Sequence, residues 1–379
     1  MNSAHSKYIW QRRNWADFSF QSEALLPLLG KARQAQGKIL TRVKILGLDL
    51  IQEAQAEVLT EEAVKTSAIE GEVLNRDAVR SSVARHLGLP HAGLPRAQRS
   101  VDGLVEILMD ATKNYDQPLT IKRLQGWQAA LFPTGFSGLQ KIRAGRWRVQ
   151  KMQVVSGPVG RERIHFEAPG SERLNKEIND FLLWWKESLG ATEGFLRAGI
   201  AHFRFVTIHP FDDGNGRIAR VLTDMAMAQD ERLPIRLYSF SSQIMEERND
   251  YYDVLEKFSR GKGDITPWLL WFLGCLLRAM EKSETIIAKV LAKTEFWQRH
   301  GQTMMNDRQR KIVNRLLDTG VGQFQGGLTT RKYVSLTKTS RATAFREIAD
   351  LVEKKILLQN QGKGRNVSYD LNWPGNFKP

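Results

Sequence analysis

The chain has 379 residues, 42% hydrophobic and 26% charged, which suits two or three soluble domains with cores of their own. It has no run of eighteen apolar residues, no basic-then-apolar leader and one cysteine, Cys275, so no transmembrane helix, membrane partner or internal disulfide is expected and a cytoplasmic location fits. The formal charge of +15 favours polyanions (nucleic acid, nucleotides or acidic proteins) unless it is only a solvated surface, and no Cys/His cluster suggests zinc.

In chain order, residues 1 to about 45 mix aromatics (Tyr8, Trp10, Trp15, Phe18, Phe20) with an amphipathic stretch. The apolar spacing of Leu48, Ile51, Ala54, Val58, Val64 and Ile69 predicts a helix over 46–70. A Gly/Pro-rich loop at 88–95 precedes helices at about 97–114 and 120–131. Residues 147–155 have β-type composition, and with a turn at 156–160 and the run 163–166 they predict a hairpin over 147–167. Helices follow at 171–188, 194–207, 216–229, 241–260 and 264–298, the last holding the longest apolar stretch, 268–277. From about 306 the order is three helices (306–318, 328–336, 341–352) and then two strands around a basic turn at Gly362, Lys363, Gly364 and Arg365. That is the order of a winged helix-turn-helix. The expected divisions are 1–96, 97–302 and 303–379, in a mainly α fold.

The chemistry concentrates in His209-Pro210-Phe211-Asp212-Asp213-Gly214-Asn215-Gly216-Arg217-Ile218-Ala219-Arg220. A helix rich in apolar residues delivers His209, and a new helix starts inside the glycine-rich loop. Unpaired N–H groups at such a start converge on one spot and bind anions. Gly214 and Gly216 let the main chain approach a phosphate closely. Arg217 and Arg220, three apart, share a helix face and suit phosphate oxygens. Asp213 suits a Mg²⁺ shared with those phosphates, and His209 can act as a general base near neutrality. Phe211 is expected to bury itself under the loop and pin His209. Singly, each feature has an ordinary structural explanation. Together they form a kit for phosphoryl or nucleotidyl transfer.

The run matches the signature of the Fic family, H-P-F-x-D-G-N-G-R-x-x-R, at every specified position, and the resemblance covers roughly residues 97–275. It implies a helical Fic core with a β-hairpin flap, and transfer of AMP from ATP to a hydroxyl of a target protein. By this resemblance His209 is the base that deprotonates the target hydroxyl and Asp213 the Mg²⁺ ligand. Gly214, Asn215, Gly216 and Arg217 form the phosphate loop, continuing into Ile218 and Ala219 of the ATP site, and Arg220 holds the γ-phosphate. The 147–167 hairpin is the flap on which the target docks by strand addition. Tyr252, or its neighbour Tyr251, lies near the adenine. Relatives that transfer phosphate carry lysine where Gly216 stands, so Gly216 points to adenylylation.

Thr66-Ser67-Ala68-Ile69-Glu70-Gly71 matches the inhibitory pattern S/T-x-x-x-E-G/N found in this family. In that role Glu70 pairs with Arg220 and occupies the γ-phosphate position, leaving ATP misplaced for in-line attack. The plainer reading is a helix C-terminus capped by Gly71, and the two are compatible. Some relatives with this motif also remove AMP. In the tail, Lys338, Arg341, Arg346, Lys363 and Arg365 suit DNA phosphates, the alternatives being protein contacts or packing of a homodimer. A second functional reading is a DNA-binding regulator whose Fic core senses nucleotide.

Overall fold

The computed structural model describes residues 7–45, 48–90, 93–156, 163–261, 263–320, 324–360 and 367–373. These form two compact units, 1–47 with 51–283, and 48–50 with 284–379. The helices in chain order are α1 (Ser22–Ile45), α2 (Leu48–Ile69), α3 (Arg76–Leu87), α4 (Arg99–Lys113), α5 (Ile121–Leu131), α6 (Leu174–Glu187), α7 (Gly194–Ile208), α8 (Asn215–Glu231), α9 (Phe240–Glu246), α10 (Arg248–Ser259), α11 (Thr266–His300), α12 (Asp307–Thr319), α13 (Thr330–Thr337) and α14 (Arg341–Glu353). The strands are three short antiparallel pairs: β1 (Phe136–Ser137) with β2 (Gln140–Lys141), β3 (Gln153–Ser156) with β4 (Arg163–Glu167), and β5 (Leu357–Gln359) with β6 (Tyr369–Leu371). The fold is therefore mainly helical with small hairpins. Among the described residues no helix is long and apolar enough to cross a membrane.

In the first unit α7 and α8 pack along each other, and α4 lies against α8, α5 and α3. Gly103 permits the α4–α5 contact, because a Cβ there would sit 2.0 Å from the Ala130 carbonyl oxygen. Local chemistry fixes the helix starts. Thr120 accepts from the Arg123 amide at α5, and Glu193 accepts from the Leu196 amide at α7. Phe195, Phe203, Phe205, Ile218, Leu222 and Trp268 are fully buried between these helices.

Two of the N-terminal aromatics brace the β3–β4 hairpin. Tyr8 packs edge-on against Phe166 of β4 at 5.4 Å, and Trp10 donates its indole N–H to the Glu167 carbonyl at 2.6 Å. The expected strand over 147–155 shortens to Gln153–Ser156, because Arg148 turns inward. The turn residues Gly157 to Gly160 lie outside the described residues. The expected helix over 241–260 is two helices, broken at Glu247 (φ −105°, ψ 29°). Helices α1 and α3 and the β1–β2 hairpin go beyond the sequence expectation.

In the second unit Ile312, Leu316, Tyr333, Ile348, Leu351 and Leu357 build a separate core. Its order is three helices and then the β5–β6 pair, with Leu328 bridged to Tyr369. The basic turn with Lys363 and Arg365 lies outside the described residues.

Candidate active site

The loop between α7 and α8 is held by three buried devices. His209 caps α7 in the left-handed region (φ 50°), its amide bonded to the Phe205 carbonyl at 3.0 Å. Asn215 folds its side chain back on Phe211, accepting from the Phe211 amide and donating to the Phe211 carbonyl, each at 2.9 Å. Phe211 is fully buried, as expected, with its ring 4.7 Å from that of Trp147. The third device is Arg148, 1% exposed. Its guanidinium donates to the carbonyls of His209 at 2.7 Å, Gln150 at 3.0 Å, Ile208 at 3.5 Å, and Pro169. Its amide reaches the Pro210 carbonyl at 2.9 Å. One side chain thus ties both feet of the β3–β4 hairpin to the turn that carries His209.

His209 is half-buried. Its Nδ1 lies 3.1 Å from the Val206 carbonyl, which makes Nδ1 the protonated nitrogen and leaves Nε2 its lone pair. Burial is the largest influence on its pKa and lowers it. The bond to Val206 opposes that and the Arg148 charge adds to it, for a net value below the usual 6.5. The imidazole is therefore neutral at pH 7, as a general base must be.

Gly214 caps α8 at φ 89°, a region that strains any side chain, and a Cβ there would press on Phe132 at 3.0 Å. Asp213 sits beside this helix start. Its carboxylate accepts from the Gly214 amide at 2.5 Å and from the Ser137 hydroxyl, while Gln128 donates to its carbonyl at 3.3 Å. Ser137 and Gln128 carried no signal in the sequence, since only the fold brings β1 and α5 to the loop. Among the described residues no three acidic, His or Cys side chains cluster for a metal. One carboxylate beside a helix N-terminus nevertheless has the chemistry that Mg²⁺ takes, since that ion is usually held by one or two carboxylates with substrate phosphates.

Arg217 and Arg220 both point toward the end of α2. Arg220, 1% exposed, donates Nε to the Thr66 hydroxyl at 2.7 Å, and Nη2 to the Thr66 carbonyl at 3.0 Å and the Glu70 carboxylate at 2.6 Å. Burial is the largest influence on its pKa and lowers it, but the Glu70 charge and hydrogen bond, with Tyr251 and Tyr252, together outweigh burial and raise it. Arg217 lies over the Phe132 ring and reaches Glu72 at 3.3 Å. Gly216 completes the arrangement, because a Cβ there would meet the Glu70 carboxylate at 2.3 Å. Glu70 owes its position to the end of α2. The Glu72 amide bonds the Ser67 carbonyl and the Gly71 amide the Ala68 carbonyl, with Gly71 at φ 87°, a Schellman cap.

Other expected residues take different places. Ile218 and Ala219 are fully buried, and the Ile218 amide bonds the Gly214 carbonyl at 3.0 Å. Tyr251 is buried and bonds His202 Nε2 at 2.9 Å. Tyr252, 37% exposed, donates to the Ile69 carbonyl at 3.2 Å, beside Arg248 Nε at 2.9 Å on the same oxygen. Helix α10 thereby grips the end of α2.

Residues 118–227, which include the whole loop and most of α8, match the model of the Fic/DOC family. They form a Fic/DOC family domain. Residues 8–89, which include α2 and Glu70, match a domain of unknown function, DUF4172. The chain is 32% identical to "Protein adenylyltransferase Fic" of Nematostella vectensis across 117 residues, 30% of this chain and 25% of that protein. It is 32% identical to "Protein adenylyltransferase fic-1" of Caenorhabditis elegans across 129 residues, 34% of this chain and 22% of that protein. The matches span about a quarter of those relatives' length. The crystal structure of a Fic family protein from Desulfovibrio desulfuricans G20 aligns at a TM-score of 0.51 with 19% identity, covering 93% of this chain and 97% of that one, and shares its fold.

Proposed function

We propose that this chain is a protein adenylyltransferase that moves AMP from ATP to a hydroxyl side chain of a target protein and is held back by Glu70. The observation that carries the reading is a neutral imidazole with a free Nε2 at the rim of the α8 helix start. In this reading the amides of Gly214 to Arg217 and the Arg217 guanidinium hold phosphate oxygens, and Arg220 holds the γ-phosphate. Asp213 would hold Mg²⁺, which when bound neutralises phosphate charge. His209 Nε2 takes the proton of the target hydroxyl as its oxygen attacks the α-phosphorus. The bond from that phosphorus to the bridging oxygen breaks, and pyrophosphate leaves. The target segment docks along β3–β4, and Tyr252 lies near the adenine once the end of α2 gives way. A base poised in this way supports transfer over mere nucleotide sensing.

The test compares label position. ATP labelled at the α-phosphate is expected to label protein, while ATP labelled at the γ-phosphate does not; label from the γ-position alone would replace adenylylation with phosphate transfer. The same labelled product, freed of enzyme, tests a companion reading in which Glu70 orients a water onto the phosphorus and His209 protonates the departing hydroxyl. Wild type with Mg²⁺ and no ATP is expected to release AMP. A label that survives wild type contradicts AMP removal for that target.

A further inference from the structure

The second unit sorts its charges. Residues 284–379 carry 17 Lys and Arg against 8 Asp and Glu, so this quarter of the chain holds more than half of the net charge of +15. Helix α14 shows the sorting most clearly. Its Glu347 faces inward, where it takes Arg308, the Asn306 amide group at 2.9 Å and the Tyr333 hydroxyl at 2.8 Å. Its Asp350 takes Gln309 and Lys354, each at 2.6 Å. These acids bind α14 to α12 and α13 and are neutralised there.

The opposite stripe of α14 is Arg341, Ala342, Phe345, Arg346 and Ala349, all exposed, at a spacing that puts them on one helix face. Among the described residues neither Arg341 nor Arg346 meets a carboxylate, and Phe345 stands 63% exposed between them. Two alanines keep the stripe low. The turn from α13 to α14 is three residues, Lys338 to Ser340, with Lys338 exposed and Ser340 capping α14 by accepting from the Thr343 amide. A helix entered by a short turn, with its N-terminal arginines clear of carboxylates among the described residues and two of its three acids turned away, is shaped to enter a groove lined with phosphates.

We propose that the exposed face of α14 binds double-stranded DNA, with Arg341, Arg346 and Lys338 on phosphates and Phe345 and Ala342 against the groove wall. Charge complementarity selects the occupant: among the described residues the N-terminal part of the face offers guanidiniums with no internal counter-ion, and its one acid, Glu353, stands at the far, C-terminal end. An acidic protein surface would meet the same charges, but a stripe kept low by Ala342 and Ala349 fits a groove better than a flat face. This site is independent of the transfer chemistry assigned to His209.

The experiment is fluorescence anisotropy of the full chain with a mixed-sequence duplex of about 20 base pairs, titrated over a range of salt. Wild type is expected to bind at low salt, with affinity falling log-linearly as salt rises. The variant Arg341→Gln with Arg346→Gln is expected to lose about tenfold or more in affinity, and its log–log salt slope to shrink by about 2. Phe345→Ala is expected to weaken binding with the slope unchanged. The control, Lys113→Gln with Lys122→Gln on exposed positions of α4 and α5, removes equal charge elsewhere and is expected to bind like wild type. Equal losses in the two double variants overturn the proposal, as does absence of duplex binding at low salt, which would leave the face to an acidic protein. Circular dichroism melts that match wild type show that the α14 variants remain folded.

Discussion

Arg148 commits its whole guanidinium to backbone carbonyls, and two of them belong to Ile208 and His209. It holds the backbone of His209 and not its imidazole, so it acts as a positioning residue. Lysine keeps the charge but cannot serve four acceptors in a plane. Arg148→Lys is therefore expected to lower kcat by about tenfold or more while KM for ATP changes little, since misplacing a reacting group is costly. The pH profile separates geometry from charge. His209 has its folded pKa lowered below 6.5 by burial, aided by the Arg148 charge, so the acid limb of kcat/KM lies below pH 6.5. Arg148→Lys leaves that limb in place, and Arg148→Met moves it up. Unchanged rates in both variants would remove Arg148 from the account. The motif residues were legible in the sequence because twelve consecutive positions carry base, carboxylate, glycines and arginines. Arg148 was not, because its partners are carbonyls some sixty residues away and its neighbours read as a strand. Asn215 was read as part of the phosphate loop, whereas its side chain is occupied with Phe211.

At the scale of elements, α7, α8 and α10 meet around His202, which is fully buried between the Thr223 hydroxyl and the Tyr251 hydroxyl. Burial, with the Arg220 charge second, pushes its pKa down to about 3. The sign follows from linkage. In the unfolded chain this histidine titrates near 6.5, so below that pH the unfolded state binds one proton more and stability falls as pH falls. Urea melts from pH 7 to pH 5 are expected to show a loss that His202→Gln reduces by up to about 1.4 kcal/mol per pH unit below 6.5. An unchanged pH slope in that variant would mean the site takes up the proton without cost. Helices with strong apolar spacing, such as α4 and α8, were legible. The hairpin β1–β2 was not, because a two-residue strand has no periodicity, and the break at Glu247 falls within a pattern that reads as one helix. The docking of α2 was legible only as a short pattern ending in Glu70. The contacts that fix it, from Arg248, Tyr252, Ser239 and Ser241, come from positions nearly 180 residues later.

For the whole molecule, the His209 loop and the Glu70 contact belong to one compact unit, and the α14 face to the other. A chain ending near residue 302 is expected to keep self-labelling in the Glu70→Gly background and to lose duplex binding; loss of labelling together with the circular dichroism melt would show that the tail belongs to the catalytic fold. The central claim is that a base and an anion cradle stand ready while Glu70 occupies Arg220. Its most direct measurement is the initial rate of label incorporation from ATP labelled at the α-phosphate, for wild type, Glu70→Gly, and Glu70→Gly combined with His209→Ala. The account predicts a rise of about tenfold or more on removing Glu70, equivalent to ~1.4 kcal/mol of relieved inhibition, and its abolition when His209 is also removed. Equal rates in wild type and Glu70→Gly, or label that persists without His209, would contradict it.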